Sequence, residues 1–139
     1  MKAVLVDTCI WSLALRGKSP RNASIAKELT ALIHAEKATI IGPIRQELLS
    51  GYSDFEQFNK LKNKLIYFPN EPIIDEDYET AAEFSNRCRN KGIQGSHIDF
   101  LICAVAHRLK LSIYTRDAGS RYFCESLFWA SQPKQAAKT

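Results

Sequence analysis

The stretch Ala3-Val4-Leu5-Val6-Asp7-Thr8-Cys9-Ile10-Trp11 decides how the chain is read. Its Val- and Leu-rich run does not alternate with polar residues and ends at an acid, as a short strand buried on both faces does. Helical spacing follows at once. Ile10, Trp11, Leu13, Ala14 and Leu15 carry a helix to Gly17, and Gly17-Lys18-Ser19-Pro20 breaks it.

The alternation continues down the chain. Ala38-Thr39-Ile40-Ile41 is a second strand closed by Gly42, Ile66 to Phe68 a third, Ser112-Ile113-Tyr114-Thr115 a fourth and Ser126 to Trp129 a fifth. Helices fill the intervals. One runs from about Ala23 to Glu36 on an Ile25, Leu29, Leu32, Ile33 stripe, and the next has Pro43 in its first turn, carries Glu47 and stops at Gly51. Asp54 caps another, with Phe55, Phe58, Leu61 and Leu65 inward and Lys60 and Lys64 toward solvent. Glu76 to Lys91 is helical, with Arg87 and Lys91 one turn apart near its end. Ser96 to about Leu109 is apolar nearly all round, which predicts an interior helix, and a short helix follows Asp117. Strands alternating with helices predict an α/β domain: a central parallel sheet with right-handed crossovers and helices on both faces. Ligands bind such sheets beyond the carboxyl ends of the strands, where Asp7 and Asp117 stand.

With 139 residues, 45% apolar and 24% charged, the chain suits one domain over residues 1–130, with a polar, frayed tail over 131–139. That composition excludes a disordered chain, a collagen-like repeat and a disulfide scaffold. The formal charge of +4 suits a polyanionic partner without establishing one. The first apolar run is too brief for a signal peptide and no stretch approaches the ~18 apolar residues of a membrane span, so the expected location is the cytoplasm, away from membranes. Cys9, Cys88, Cys103 and Cys124 are scattered through apolar or helical patterns, as reduced, buried thiols would be.

Asp7, Glu47, Asp99 and Asp117 each have an ordinary reading. Asp7 and Asp117 can cap the helices after them, Ser96-His97-Ile98-Asp99 fits a capping box, and Glu47 can sit on a solvated face. Their positions together argue for more: Asp7 follows a buried strand, Asp99 interrupts an apolar helix, and Glu47 lies beside an inward stripe. If the first and fourth strands are neighbours, Asp7 and Asp117 lie side by side. Two carboxylates ~6 Å apart repel by roughly 3 kcal/mol at an effective dielectric near 20. Converging acids therefore take up protons or hold a divalent cation, and an all-oxygen set favours Mg2+ or Mn2+.

These motifs resemble the PIN-domain nucleases, most closely the VapC-type toxin ribonucleases of toxin-antitoxin pairs. Asp7-Thr8-Cys9-Ile10-Trp11, Glu47-Leu48-Leu49-Ser50-Gly51, the Asp99 to Ala106 helix and Thr115-Arg116-Asp117 are similar to the family's four motifs, in order, over almost the whole chain. The resemblance implies a sheet ordered 3-2-1-4-5 and an acidic metal site of Asp7, Glu47, Asp99 and Asp117, with Thr8 and Thr115 hydrogen-bonding around it. Asp7 and Asp99 are the leading direct ligands; Glu47 and Asp117 complete the set through water or by orienting the nucleophile. Where many relatives carry a further acid, this chain reads Ala118-Gly119-Ser120-Arg121, which leaves one or two metal ions open.

The implied activity is magnesium-dependent endoribonuclease cleavage, with manganese able to substitute, by a toxin that pairs with a small antitoxin and forms a homodimer. Trp11, Tyr52, Phe55 and Phe58 are candidate contacts for the antitoxin, although core packing explains each equally well. Arg116 is the leading cation for RNA, and Arg121, Lys60, Lys64, Arg87 and Lys91 extend the track. The alternatives are a noncatalytic RNA-binding or partner-tethering module on the same fold, and a DNA-cleaving relative. A receiver domain lacks its paired acids and lysine here, and a zinc site from Cys88, His97, Cys103 and His107 lacks paired-ligand spacing.

Overall fold

The computed structural model describes residues 3–15 and 20–115 of the chain. Strand β1 (Val4–Val6) is followed directly by helices α1 (Thr8–Leu15) and α2 (Pro20–His34). Then come β2 (Ala38–Thr39), α3 (Gly42–Ser50), α4 (Phe55–Leu65), α5 (Asp75–Asn90), α6 (His97–Leu109) and β3 (Ser112–Tyr114). The described part of the sheet is parallel and ordered β2-β1-β3. Val4 lies opposite both Ala38 and Ser112, and Val6 opposite Tyr114.

Because β1 is central, neighbours take its backbone groups on both edges while its side chains meet helices. Leu5 and Val6 are fully buried, which is why the run is apolar throughout. Around β1 the main core gathers Ile10 and Trp11 of α1, Ile25 and Leu29 of α2, Ile44 and Leu48 of α3, Leu61 and Leu65 of α4, and Ile102 and Val105 of α6. A second cluster, Phe84, Cys88, Phe100, Cys103 and Ala104, seals α5 onto α6. Buried side chains on both sides of α6 explain its nearly uniform apolar surface.

The α/β reading and the placing of β1 between the second and fourth expected strands agree with the structure; the edges differ in detail. Ile66 to Phe68 is not a strand. Tyr67 and Phe68 donate back to the carbonyls of Lys64 and Leu65 at 3.4 and 3.0 Å, so α4 ends in turns. The Arg45 guanidinium takes the Leu65 carbonyl at 2.9 Å and also the Phe68 carbonyl, acceptors that a third strand would have offered to a neighbour. Pairing occurs further on, as a single parallel bridge between Ile40 and Asn70, with the Glu71 N–H on the Ile40 carbonyl at 2.8 Å. The expected fifth strand, the helix after Asp117 and the tail lie outside the described residues.

Helix α2 also starts at Pro20 rather than near Ala23. Proline's fixed φ and missing N–H suit a first helical position, so Pro20 opens this helix as well as closing the preceding loop. Cys9 and Cys88 are in no disulfide, whereas Cys103 is disulfide-bonded, which corrects the expectation of reduced thiols at that position.

Between α5 and α6, Asp77 is almost fully buried. Its carboxylate accepts the Arg108 Nε–H and an Nη2–H, both at 2.8 Å, and the Ile74 N–H at 3.0 Å. Burial pushes Asp77 upward, but the Arg108 and Ile74 hydrogen bonds and the guanidinium charge outweigh it and hold the carboxyl below its usual value.

Candidate metal site at the carboxyl edge of the sheet

Asp7 stands where the central strand becomes a helix. Its N–H extends the ladder to the Tyr114 carbonyl at 3.0 Å, and its own carbonyl accepts the Ile10 N–H at 3.1 Å to begin α1. The side chain is half-buried and serves both neighbours. Oδ1 accepts the Thr8 N–H at 2.7 Å; Oδ2 accepts the Thr115 hydroxyl at 2.9 Å, with Cys9 Sγ 3.7 Å away. The capping reading of Asp7 is thus correct for one oxygen, while the other is held from the end of β3.

Asp99 lies in the first turn of α6, where Ser96 and Asp99 form a reciprocal capping box of 3.0 and 3.1 Å. Burial raises the Asp7 carboxyl above its usual value, the Thr115 and Thr8 hydrogen bonds oppose this, and the negative charge of Asp99 adds a smaller push upward. Glu47 is exposed on α3, one residue before buried Leu48. Its Oε1 accepts the Thr8 hydroxyl at 2.5 Å. Thr8 therefore ties two acids together, with its N–H on Asp7 and its O–H on Glu47.

Three of the four expected acids, and both supporting threonines, thus meet in one neighbourhood at the carboxyl edge of the sheet. Asp117, Arg116 and Arg121 lie outside the described residues, although Thr115, the last described residue, reaches Asp7. Among the described residues no three His, Cys, Asp or Glu side chains form a ready ion cage. What the structure contains is a pair of repelling carboxylates, one of them drawn out of water, with a third attached through Thr8. The carboxylates offer hard oxygen donors beside the Cys9 sulfur, and a divalent cation would relieve both the desolvation and the repulsion at Asp7, so the carboxylate chemistry fits Mg2+ or Mn2+.

The expected cations fall on two different helices. Lys60 and Lys64 are exposed on α4, whereas Arg87 and Lys91 are exposed at the end of α5. Sequence reasoning passed over Cys9 as a neighbour of Asp7, although its position two residues on, in the first turn of a helix, was a usable signal. It also passed over Arg108, whose partner lies 31 positions away.

The PIN domain profile matches residues 4–124. No curated protein sequence matches the chain. Among solved structures, FitAcB from Neisseria gonorrhoeae is similar with a TM-score of 0.73 and 23% identity, over 88% of this chain and 93% of that one. FitAB bound to an IR36 DNA fragment is similar with a TM-score of 0.72 and 20% identity, over 88% of this chain and 90% of that one. At such identities the likeness is one of fold. The profile covers most of the chain, including every motif that supplies an acid, and on that ground the chain belongs to the PIN-domain family.

Proposed function

We propose that the chain is a divalent-metal-dependent endoribonuclease, hydrolysing RNA phosphodiesters to a 5′ phosphate and a 3′ hydroxyl, and that it acts in the cytoplasm as the toxin of a toxin-antitoxin pair. The observation that carries this reading is Asp7: a desolvated carboxylate at the carboxyl end of the central strand, pushed upward further by the charge of Asp99 and joined through Thr8 to Glu47. A carboxyl raised in this way costs stability when charged, so its presence fits a purpose other than folding.

Asp7, Asp99 and Asp117 would hold Mg2+ or Mn2+, which when bound supplies water activation and neutralises charge on the scissile phosphate. Thr8 and Thr115 hold the Asp7 carboxylate in one orientation, and Thr8 fixes Glu47 beside it. Arg116, Arg121, Lys60, Lys64, Arg87 and Lys91 offset the acidic mouth toward a polyanion.

A small antitoxin has a suitable surface in the apolar groove of about 420 Å3 between α1, α2 and α4, lined by Trp11, Leu29, Leu61 and Tyr67 among others. Ile66 and Tyr67, just after α4, are 68% and 80% exposed, apolar surface that a partner would cover, and Phe55 at the other end of α4 is 79% exposed. Trp11 has a core role too: its Nε1–H donates to the Val6 carbonyl at 3.2 Å and its ring meets Phe68 edge-on. A homodimer belongs to the same reading.

Purified chain incubated with Mg2+ on RNA and on single-stranded DNA side by side tests the proposal. RNA cleavage that stops in EDTA and in Asp7→Asn is expected. Cleavage by Asp7→Asn at the wild-type rate, or RNA binding with no metal-dependent cutting, would overturn it, the latter in favour of a noncatalytic binding module. Preference for DNA would move the substrate.

A further inference from the structure

A groove of about 370 Å3 runs between α5 and the first turn of α6, closed at one side by Pro43 of α3. Its volume falls in the range of ligand clefts. Two of its walls lead to the acids. Pro43 is one helical turn before Glu47, a spacing that places both on the same face of α3 about 5–6 Å apart. His97 and Ile98 share the first turn of α6 with Asp99.

The lining combines a flat aromatic surface with polar groups. Tyr78 is 56% exposed, and Asn86, Arg89 and His97 are exposed along the rim. Arg89 is the charged side chain of the lining, which holds no Asp or Glu, while the acidic start of α5 flanks Tyr78. A second copy of the chain could cover the apolar walls but would gain nothing from that guanidinium, whereas a polyanion would.

We propose that this groove is the subsite for an unpaired nucleotide of the RNA strand next to the scissile phosphate. Tyr78 stacks on the base, Asn86 hydrogen-bonds its edge, and Arg89 with His97 takes the phosphate. The inference rests on the ribonuclease reading and adds to it the residues that choose among bases. Arg89 belongs to neither the acidic site nor the earlier set of expected cations.

The test measures binding of the four fluorescein-labelled single-stranded RNA homopolymers to the full chain in EDTA, by anisotropy over a salt series. Tyr78→Ala is expected to weaken binding about 5- to 100-fold while Tyr78→Phe keeps it. Arg89→Gln should lower the slope of log affinity against log salt by about 0.7, and Asn86→Ala should flatten the preference among the four polymers. Wild-type RNA binding that all these variants retain overturns the subsite and leaves the ribonuclease reading standing. A wild-type chain that binds none of the polymers overturns both. Sedimentation that shows a wild-type dimer and a Tyr78→Ala monomer, with equal RNA affinity per chain, also overturns the subsite and assigns the groove to a second copy.

Discussion

Asp77 and Asp7 are both carboxylates withdrawn from water, and their surroundings treat them in opposite ways. Asp77 meets a guanidinium fork and an N–H, and its carboxyl is held low. Asp7 meets two hydroxyl or amide donors and another carboxylate, and its carboxyl is raised. The first is a closed electrostatic unit that fastens α5 to α6. The second is left open toward a positive charge that the described residues do not provide. Burial alone therefore does not set the direction in which a carboxyl shifts; the sign of its neighbours does.

Substitutions and a titration can break or sharpen that contrast. The largest effect is expected at Asp7→Asn: RNA cleavage falls by about 10^3-fold or more, because an interaction worth several kcal/mol in the transition state is removed. The same variant should melt no lower than wild type in EDTA. Added Mg2+ should raise the melting temperature of wild type and not of the variant. A large loss of stability in Asp7→Asn would place Asp7 with Asp77 as a structural acid.

Asp77→Ala is expected to do the reverse, costing about 3 kcal/mol in urea unfolding by leaving Arg108 partly buried without its partner. The pH dependence should separate the two acids further. Because the folded-state value of Asp77 is lowered, its contribution is present above the ordinary carboxylate value of 3.8 and is lost as pH falls through the folded value. Because that of Asp7 is raised, its charge costs stability at neutral pH, and the cost disappears as pH falls through the raised value. Stability curves of Asp77→Asn and Asp7→Asn should therefore approach wild type in acid from opposite sides. Curves approaching from the same side would contradict the contrast.

Smaller effects are expected around the acids. Thr8→Val and Thr115→Val should each reduce Mn2+ affinity, measured by calorimetry, by about 10- to 100-fold, since they remove groups that orient a ligand. Unchanged affinity would reduce both threonines to packing. Ser96→Ala should cost about 1 kcal/mol of stability through the lost cap while Asp99 keeps its charge, so Mn2+ binding should change less than in the threonine variants.

Local pattern was enough for the elements that satisfy themselves. The non-alternating run ending at Asp7 marked a central strand, the breaks at Gly42 and Gly51 bounded α3, and the Ser96–Asp99 spacing marked the start of α6. These signals are legible because a strand buried on both faces, a helix stripe and a cap are each written within a few neighbouring residues. The Ile66 to Phe68 reading failed because Arg45, some twenty positions away, claims the carbonyls of Phe68 and of Leu65 just before the stretch.

Residue types and their order determined by themselves that this chain is an α/β domain with acids at strand and helix ends, and that each acid had an ordinary capping or surface alternative. Tertiary structure decided which alternative mattered. Only the packing of β3 against β1 brings Thr115 to Asp7, only the seating of α6 in the core brings the charge of Asp99 within reach of it, and only α5 on α6 gives Asp77 its guanidinium. Electrostatic character depends on distance and desolvation, and both come into being when segments far apart in the chain share one interior.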